Sequence, residues 1–350
     1  MVFGSKVLIA MSGGVDSSAA AYLAMQEGFQ CIGGTMILCQ SNEDIQDAQA
    51  VAQRLNIPFY TFEAKLPFHN LVQEPFVRSY ENGETPNPCI LCNRWLKFGY
   101  LLDRAVELGC SHIVTGHYAR VKQDTQTGRW LLLKAVDRGK DQSYFLANLT
   151  QDQLSHIYFP LGALTKEQAR ALAVEQQFVN ARKRDSQDIC FIPDGDYPAF
   201  LEKFTGTTYP AGDFIDLSGK IVGQHQGAIR YTFGQRKGLG LAMGQPVYVC
   251  DKDMKENTVT VGPNEALYHK TLLANDWSWF PIEELRQPLR CMAKARSRMN
   301  EQPVTAYPEG NGIVRVVFDE PQRALTPGQS VVLYDRDMVI GGGCIRSVCD

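Results

Sequence analysis

The chain has no apolar run approaching the ~18 residues that a membrane-spanning helix needs. It has no basic excess either: 35 Lys and Arg against 38 Asp and Glu leave a formal net charge of −3. A dedicated duplex binder carries such an excess, so any nucleic-acid partner must meet a local basic face. Ten cysteines in 350 residues are too few for a disulfide scaffold. The first residues lack the charged start, long apolar stretch and small-residue cleavage site of a secretory signal. The cytoplasm is therefore the expected compartment, with no membrane partner. A fixed-period repeat and a low-complexity tail are also missing. What remains, 44% hydrophobic and 21% charged residues, excludes a disordered or fibrous chain. At about 150 residues per domain the length predicts two or three domains.

Strand and helix signals alternate over the first half. Residues 6–11 form a short apolar run bounded by Gly13-Gly14 and read as a buried strand. A helix over 16–27 stops at Gly28, and 31–37 is the next strand. Ser41 caps a helix carrying Ile45, Ala48, Val51, Ala52 and Leu55, and 58–62 is a third strand. A helix over 94–108 precedes a strand at 112–115, and 123–128 reads as a surface turn. Thr165-Lys166-Glu167-Gln168 is a capping box opening a helix to about residue 177. Such units imply a parallel sheet covered by helices on both faces. After about residue 195 helical periodicity fades and glycine is dense over 219–244. Short strands follow at 247–251, 258–261, 313–318, 330–334 and 338–340, with turns at 310–312 and 327–328.

The strongest local signal is Ala10-Met11-Ser12-Gly13-Gly14-Val15-Asp16-Ser17-Ser18, between a buried strand and a helix. That placement aims backbone N–H groups and a positive helix end at an anion. The glycines admit close approach, and Ser12, Ser17 and Ser18 add hydroxyl donors. The loop has neither the Gly-Lys-Ser/Thr ending of a Walker loop nor a GxGxxG turn. It resembles the PP-loop of ATP pyrophosphatases, which let a substrate oxygen attack the α-phosphate of ATP. Asp16 would then help to hold Mg²⁺ beside the leaving pyrophosphate. Without a ligand it is simply a carboxylate at a helix start.

The remaining motifs narrow the reading. Thr85-Pro-Asn-Pro-Cys-Ile-Leu-Cys-Asn-Arg94 is a proline-stiffened loop with two cysteines. Ser186-Gln-Asp-Ile-Cys-Phe-Ile192 carries another. Between and beyond them come Thr115-Gly-His-Tyr-Ala-Arg120, Lys140-Asp-Gln-Ser-Tyr-Phe-Leu146, the 223–240 stretch and Leu325-Thr-Pro-Gly-Gln-Ser-Val-Val332. In this order they closely resemble the bacterial tRNA-specific 2-thiouridylases over essentially the whole chain. The resemblance implies an α/β fold with a PP-loop parallel-sheet domain over 1–195. A small central domain over 196–265 and a C-terminal β-barrel over 266–350 complete it. It also implies conversion of a wobble uridine in tRNA to 2-thiouridine, using ATP and relayed sulfur. A sulfur-relay protein or cysteine desulfurase would supply that sulfur.

By the same resemblance Ala10, Met11, Ser12, Gly13, Gly14, Val15, Asp16, Ser17, Met36 and Gly116 hold ATP. Cys190 takes a persulfide and Cys92 is its partner thiol, the two being left as a disulfide after transfer. Asn87, Pro88, Cys89 and His117 face the target base. Lys140, Asp141, Gln142, Arg296, Ser297 and Gln329 contact tRNA. Cys31, Cys39, Cys110, Cys250 and Cys291 read as buried small hydrophobes. Position 89 departs from the family, in which many members have aspartate. The third thiol leaves three readings open: a persulfide relay without metal, a [4Fe–4S] cluster on Cys89, Cys92 and Cys190, or zinc. Charge alone adds Arg182 to Arg184, Arg236-Lys237, and Lys294 with Arg298 as candidate tRNA contacts.

Two other classes compete. A PP-loop amidating enzyme would need an ammonia source, and no glutaminase-like stretch is evident. A nucleotide sensor without catalysis would leave the paired thiols without a task.

Overall fold

The computed structural model describes residues 4–39, 41–184 and 189–349. Residues 186–188, which open the motif around Cys190, lie outside them. Strands β1 (Lys6–Ala10) and β2 (Gln30–Ile37) flank helix α1 (Val15–Gln26) in sequence; helix α2 (Asn42–Arg54) leads to β3 (Phe59–Glu63). With β4 (His112–Val114) and β7 (Ile157–Tyr158) the strands form one parallel sheet in the order β3-β2-β1-β4-β7. Alternation along β1 explains its burial on both faces. Leu8 joins one apolar cluster while Val7 and Ile9 join the other, and all three are fully buried. Ser41 caps α2 by accepting the Asp44 N–H, as expected.

Two helical expectations differ from what is found. The helix expected over 94–108 begins at Pro88 and continues through Cys92–Tyr100 and Leu101–Glu107. Asn87 caps it by accepting the Cys89 N–H, and Pro88 sits at the first helical position. A helix is also present at Tyr197–Thr205, capped by Asp196 and closed by Gly206, within the region where helical periodicity fades.

A hairpin, β5 (Ala119–Gln123) and β6 (Trp130–Lys134), turns at the expected 123–128. β8 (Gly212–Ile215), β9 (Ile221–His225), β10 (Tyr248–Asp253) and β11 (Thr258–Gly262) make a small central sheet. β12 (Tyr268–Trp279), β13 (Leu289–Lys294), β14 (Gln302–Gly310), β15 (Ile313–Arg323), β16 (Ser330–Asp335) and β17 (Met338–Cys349) follow. They close into a barrel through the β12–β17 pairing.

The hairpin extends the barrel sheet through the Met338–Leu133 pair. Arg129 fastens it by donating to the carbonyls of Trp279 and Phe280, and Lys134 pairs with Glu301. One apolar cluster runs from Leu8 and Ile32 in the parallel sheet to Phe280, Val332 and Tyr334 in the barrel. The PP-loop sheet and the barrel therefore share a core.

Candidate active site and tRNA face

Chain reversal between β1 and α1 builds the loop. The Met11 N–H donates to Gly34 O at 2.8 Å, and Thr35 Oγ1 donates to Met11 O. Gly13 has φ +75°, and a Cβ there would stand 2.2 Å from the Asp44 carbonyl oxygen, so only glycine fits. Asn180, almost wholly buried, clamps the turn by donating to Gly13 O and Ser18 Oγ. No side chain caps α1 at Gly14, which leaves its first N–H groups to face an incoming anion. Gly116 packs its backbone against this turn; a Cβ would lie 2.6 Å from Asp16 C. Ser12 stands exposed at the rim. Ser17 and Ser18 differ from expectation: both hydroxyls donate to Gly14 O and serve the turn rather than a ligand.

Asp16 is held from two sides. Tyr118 donates its hydroxyl to Oδ1 at 2.8 Å, and the buried Lys166 ammonium donates to both oxygens at 2.7 Å. Gln142 fixes Tyr118 by accepting its N–H, and Asp141 accepts from Ala135 N, Ser143 N and Ser143 Oγ. Asp141 and Gln142 thus brace the nucleotide loop. Lys166 was not singled out by the sequence beyond its place in a capping box. Lys166 and Tyr118 engage three of the lone-pair positions of the Asp16 carboxylate, whose side chain stays 31% exposed, so it keeps an open position on Oδ2 where a Mg²⁺ would be held.

The thiols collect beyond the carboxyl end of β2. Met36 is half-buried there, packed with the cluster of Phe68, Val72 and Leu96. Two residues past that strand, Cys39 is exposed, contrary to the expectation of a buried hydrophobe. Its thiol donates to the Cys190 carbonyl oxygen at 3.6 Å. The neighbouring thiols act on each other, pulling Cys39 below its ordinary range and pushing Cys190 far above it. Cys92, on the helical run, packs beside Leu96, and burial pushes its thiol up to about 11. Burial also raises Cys89.

The Lys97 charge opposes these rises at Cys89, Cys92 and Cys190. Lys97 is a residue that sequence reasoning missed. Cys92–Tyr100 is a wide π-type turn, in which hydrogen bonds join residues five apart. The turn geometry, invisible in a 3.6-residue pattern, brings Lys97 back to the thiol side. All ten cysteines are thiols in the structure. Among the described residues no three His, Cys, Asp or Glu side chains stand together as a metal site.

His117 also departs from expectation. It is buried between Phe98 and Phe159, with Nδ1 2.6 Å from Thr115 Oγ1. Burial, aided by Lys97, holds its pKa well below the ordinary value, so the ring is neutral. His225 is buried too, its nitrogens engaged by Asn257 O and the Gly227 N–H.

The loop before the thiols docks on the barrel. Gln329 Nε2 donates to Thr85 O at 2.6 Å, and the Thr85 N–H donates to Pro327 O. Beside this seam a cleft is lined by Thr85, Thr232, Arg296, Ser297, Arg298 and Gln329. Arg296 is anchored there by Ala324 O and Thr326 Oγ1, while Arg298 is exposed. Arg236 and Lys237 are exposed as well. Lys183 is not a free charge: it pairs with Asp44 and Asp47 of α2. Lys140 is half-buried beside these braces.

Three family models match in sequence: a tRNA methyl transferase HUP domain at 5–194, a tRNA methyl transferase PRC-barrel domain at 198–263, and an aminomethyltransferase β-barrel domain at 269–345. A tRNA-specific 2-thiouridylase MnmA of Symbiobacterium thermophilum is 47% identical, over 97% of this chain and 92% of that protein. Those of Acetivibrio thermocellus and Clostridioides difficile are 46% and 44% identical, covering 97% and 99% of this chain and 99% of each relative. The chain belongs to the family of the tRNA-specific 2-thiouridylases.

Proposed function

We propose that the chain is a tRNA-uridine 2-sulfurtransferase, working in the cytoplasm on the wobble uridine of tRNA. One observation carries the reading. The PP-loop follows the carboxyl end of β1, the Cys39–Cys190 thiol pair lies just past the carboxyl end of β2, and these strands are adjacent and parallel. Ligands of open parallel sheets bind along that edge. An adenylating site and a sulfur-carrying site therefore lie side by side.

The chemistry needs both. The C2 carbonyl of uracil is urea-like, and its oxygen is a poor leaving group. Attack of that oxygen on the α-phosphate of ATP forms the O–P bond and releases pyrophosphate. The adenylated carbon then accepts sulfur and expels AMP. ATP enters with its Mg²⁺ as substrate. The residues Ala10 to Ser17 and Gly116 surround it, and Met36 supports the adenine. Lys166 keeps the Asp16 carboxylate in place. Cys190 carries the sulfane sulfur, received from a relay protein or cysteine desulfurase, and Cys92 is the partner thiol. The thiol arrangement favours a relay without a cluster. Asn87, Pro88 and Cys89 line the base position, which an anticodon-loop base reaches without opening a duplex.

Arg296, Ser297, Gln329 and Lys140 support the tRNA, and the working domain division is 1–195, 196–265 and 266–350. The matched models carry a methyl-transfer description, but methyl transfer leaves Cys92 and Cys190 without a role. Incubation with tRNA, ATP and a cysteine desulfurase charged with cysteine, followed by nucleoside mass spectrometry, tests the reading. It expects 2-thiouridine with one AMP and one pyrophosphate per thiolation. Methylated or amidated uridine in its place would overturn it.

A further inference from the structure

We infer that Asn180 is a positioning residue for ATP, setting the direction in which the Gly13-Gly14 turn presents its N–H groups. The inference rests on the reading of Ala10 to Ser17 as the ATP site. Asn180 stands 167 residues from Gly13 in sequence and is only 3% exposed. A carboxamide at that depth is costly unless its hydrogen bonds are made. Both bonds that it donates go to the turn. Nδ2 donates to Gly13 O at 2.9 Å and to Ser18 Oγ at 3.0 Å. The Ser18 hydroxyl in turn donates to Gly14 O at 3.2 Å. One carboxamide therefore holds the Gly13 carbonyl directly and the Gly14 carbonyl through Ser18.

That hold fixes the far side of each peptide. In a trans peptide the C=O and the following N–H point in opposite directions. With both carbonyls turned toward Asn180 and Ser18, the Gly14 and Val15 N–H groups point away from them, at the open start of α1 where an anion is met. Two successive glycines are also where a peptide flips at least cost. A flip would aim the Gly13 carbonyl oxygen at the phosphates and repel them. The other wall of the turn is held from the same segment. The Asp44 carbonyl packs against Gly13, and Lys183, three residues after Asn180, pairs with Asp44 and Asp47. Residues 180 and 183 thus hold the ATP turn from both sides.

The test is calorimetric titration of MgATP into the full chain without tRNA, joined to tRNA-dependent AMP formation across ATP concentrations. Asn180→Asp keeps the size of the side chain and loses the donor, and Asn180→Ala loses the whole group. Both are expected to raise the Kd and the KM for ATP at least tenfold, with kcat within threefold and the KM for tRNA unchanged. Phe178→Leu controls for a merely structural effect, since Phe178 packs in the apolar cluster two residues earlier. It is expected to lower the urea midpoint and to keep the Kd for ATP within twofold. Wild-type ATP affinity in both Asn180 variants, or an equal loss in Phe178→Leu, would overturn the inference while leaving the ATP site in place. Wild type that binds no ATP would overturn the ATP-site reading and this inference together.

Discussion

The Lys166 ammonium lies 2.7 Å from each carboxylate oxygen of Asp16, a contact made across 150 residues of chain. It joins the helix Lys166–Glu175 to the first turn of α1 and fixes the carboxylate beside the PP-loop. Asp16→Ala takes from the buried Lys166 ammonium the carboxylate to which it donates twice, which costs about 3 kcal/mol. Lys166→Met frees a carboxylate next to the triphosphate. Both variants are expected to lose AMP formation by at least a hundredfold. Asp16→Ala should also lower the urea midpoint at unchanged slope. Robust tRNA-dependent AMP release by Asp16→Ala would contradict the role given to this pair.

Basic residues at the surface differ in how free they are. Arg298 is exposed beside the Thr85–Gln329 seam, whereas Lys183 is spent on Asp44 and Asp47. Arg298→Ala should weaken tRNA binding and reduce the salt slope by about one. Arg296→Ala should weaken binding too. Lys183→Ala should leave affinity and slope unchanged. Filter-binding titrations across salt concentrations check all three, and an effect of Lys183 equal to that of Arg298 would argue against this face.

Thiol reactivity should separate by pH. Hydrogen bonding lowers Cys39, while burial raises Cys92 to about 11. Iodoacetamide at pH 8 is expected to modify Cys39 at least tenfold faster than Cys92. The Cys92 rate should climb about tenfold per pH unit until its thiol ionises, since only the thiolate reacts. Equal labelling of both at pH 8, measured by peptide mapping, would contradict the burial of Cys92.

His117 gives a stability signature in acid. Its folded-state pKa is well below the unfolded value of 6.5. Below pH 6.5 the unfolded chain binds a proton that the folded chain refuses, so stability falls as pH falls. The loss is at most about 1.4 kcal/mol per pH unit. Urea unfolding of wild type and His117→Gln at pH 7.5 and 5.5 isolates it. Wild type should lose about 1 kcal/mol more than the variant over that interval; the same pH dependence in both would place the histidine in contact with water.

The parallel sheet and the PP-loop were legible because their signals are local. Apolar runs, Gly13-Gly14 and the Ser41 and Thr165 caps each act within a few residues. Turns marked β15, β16 and β17, whereas β12, β13 and β14 were not located individually. What escaped was long-range or depended on helix type. Nothing near Cys39 in sequence points to Cys190. Lys166 reads as a surface residue of a capped helix until α1 covers it. Lys97 returns to the thiols only because Cys92–Tyr100 is wider than an α-helix. The hairpin Ala119–Gln123 and Trp130–Lys134 declares itself locally, but its place on the barrel depends on Met338. His117, read as a base contact through family resemblance, is enclosed by two phenylalanines whose approach no local pattern encodes.

The central claim is that uridine oxygen is adenylated before sulfur replaces it. The direct measurement uses tRNA whose wobble uridine carries ¹⁸O at C2, incubated with the chain, ATP and the charged desulfurase. The account requires the label in the phosphate of the released AMP, in equal amount to the 2-thiouridine formed. Thiolation with unlabelled AMP, the ¹⁸O passing to water instead, would contradict it.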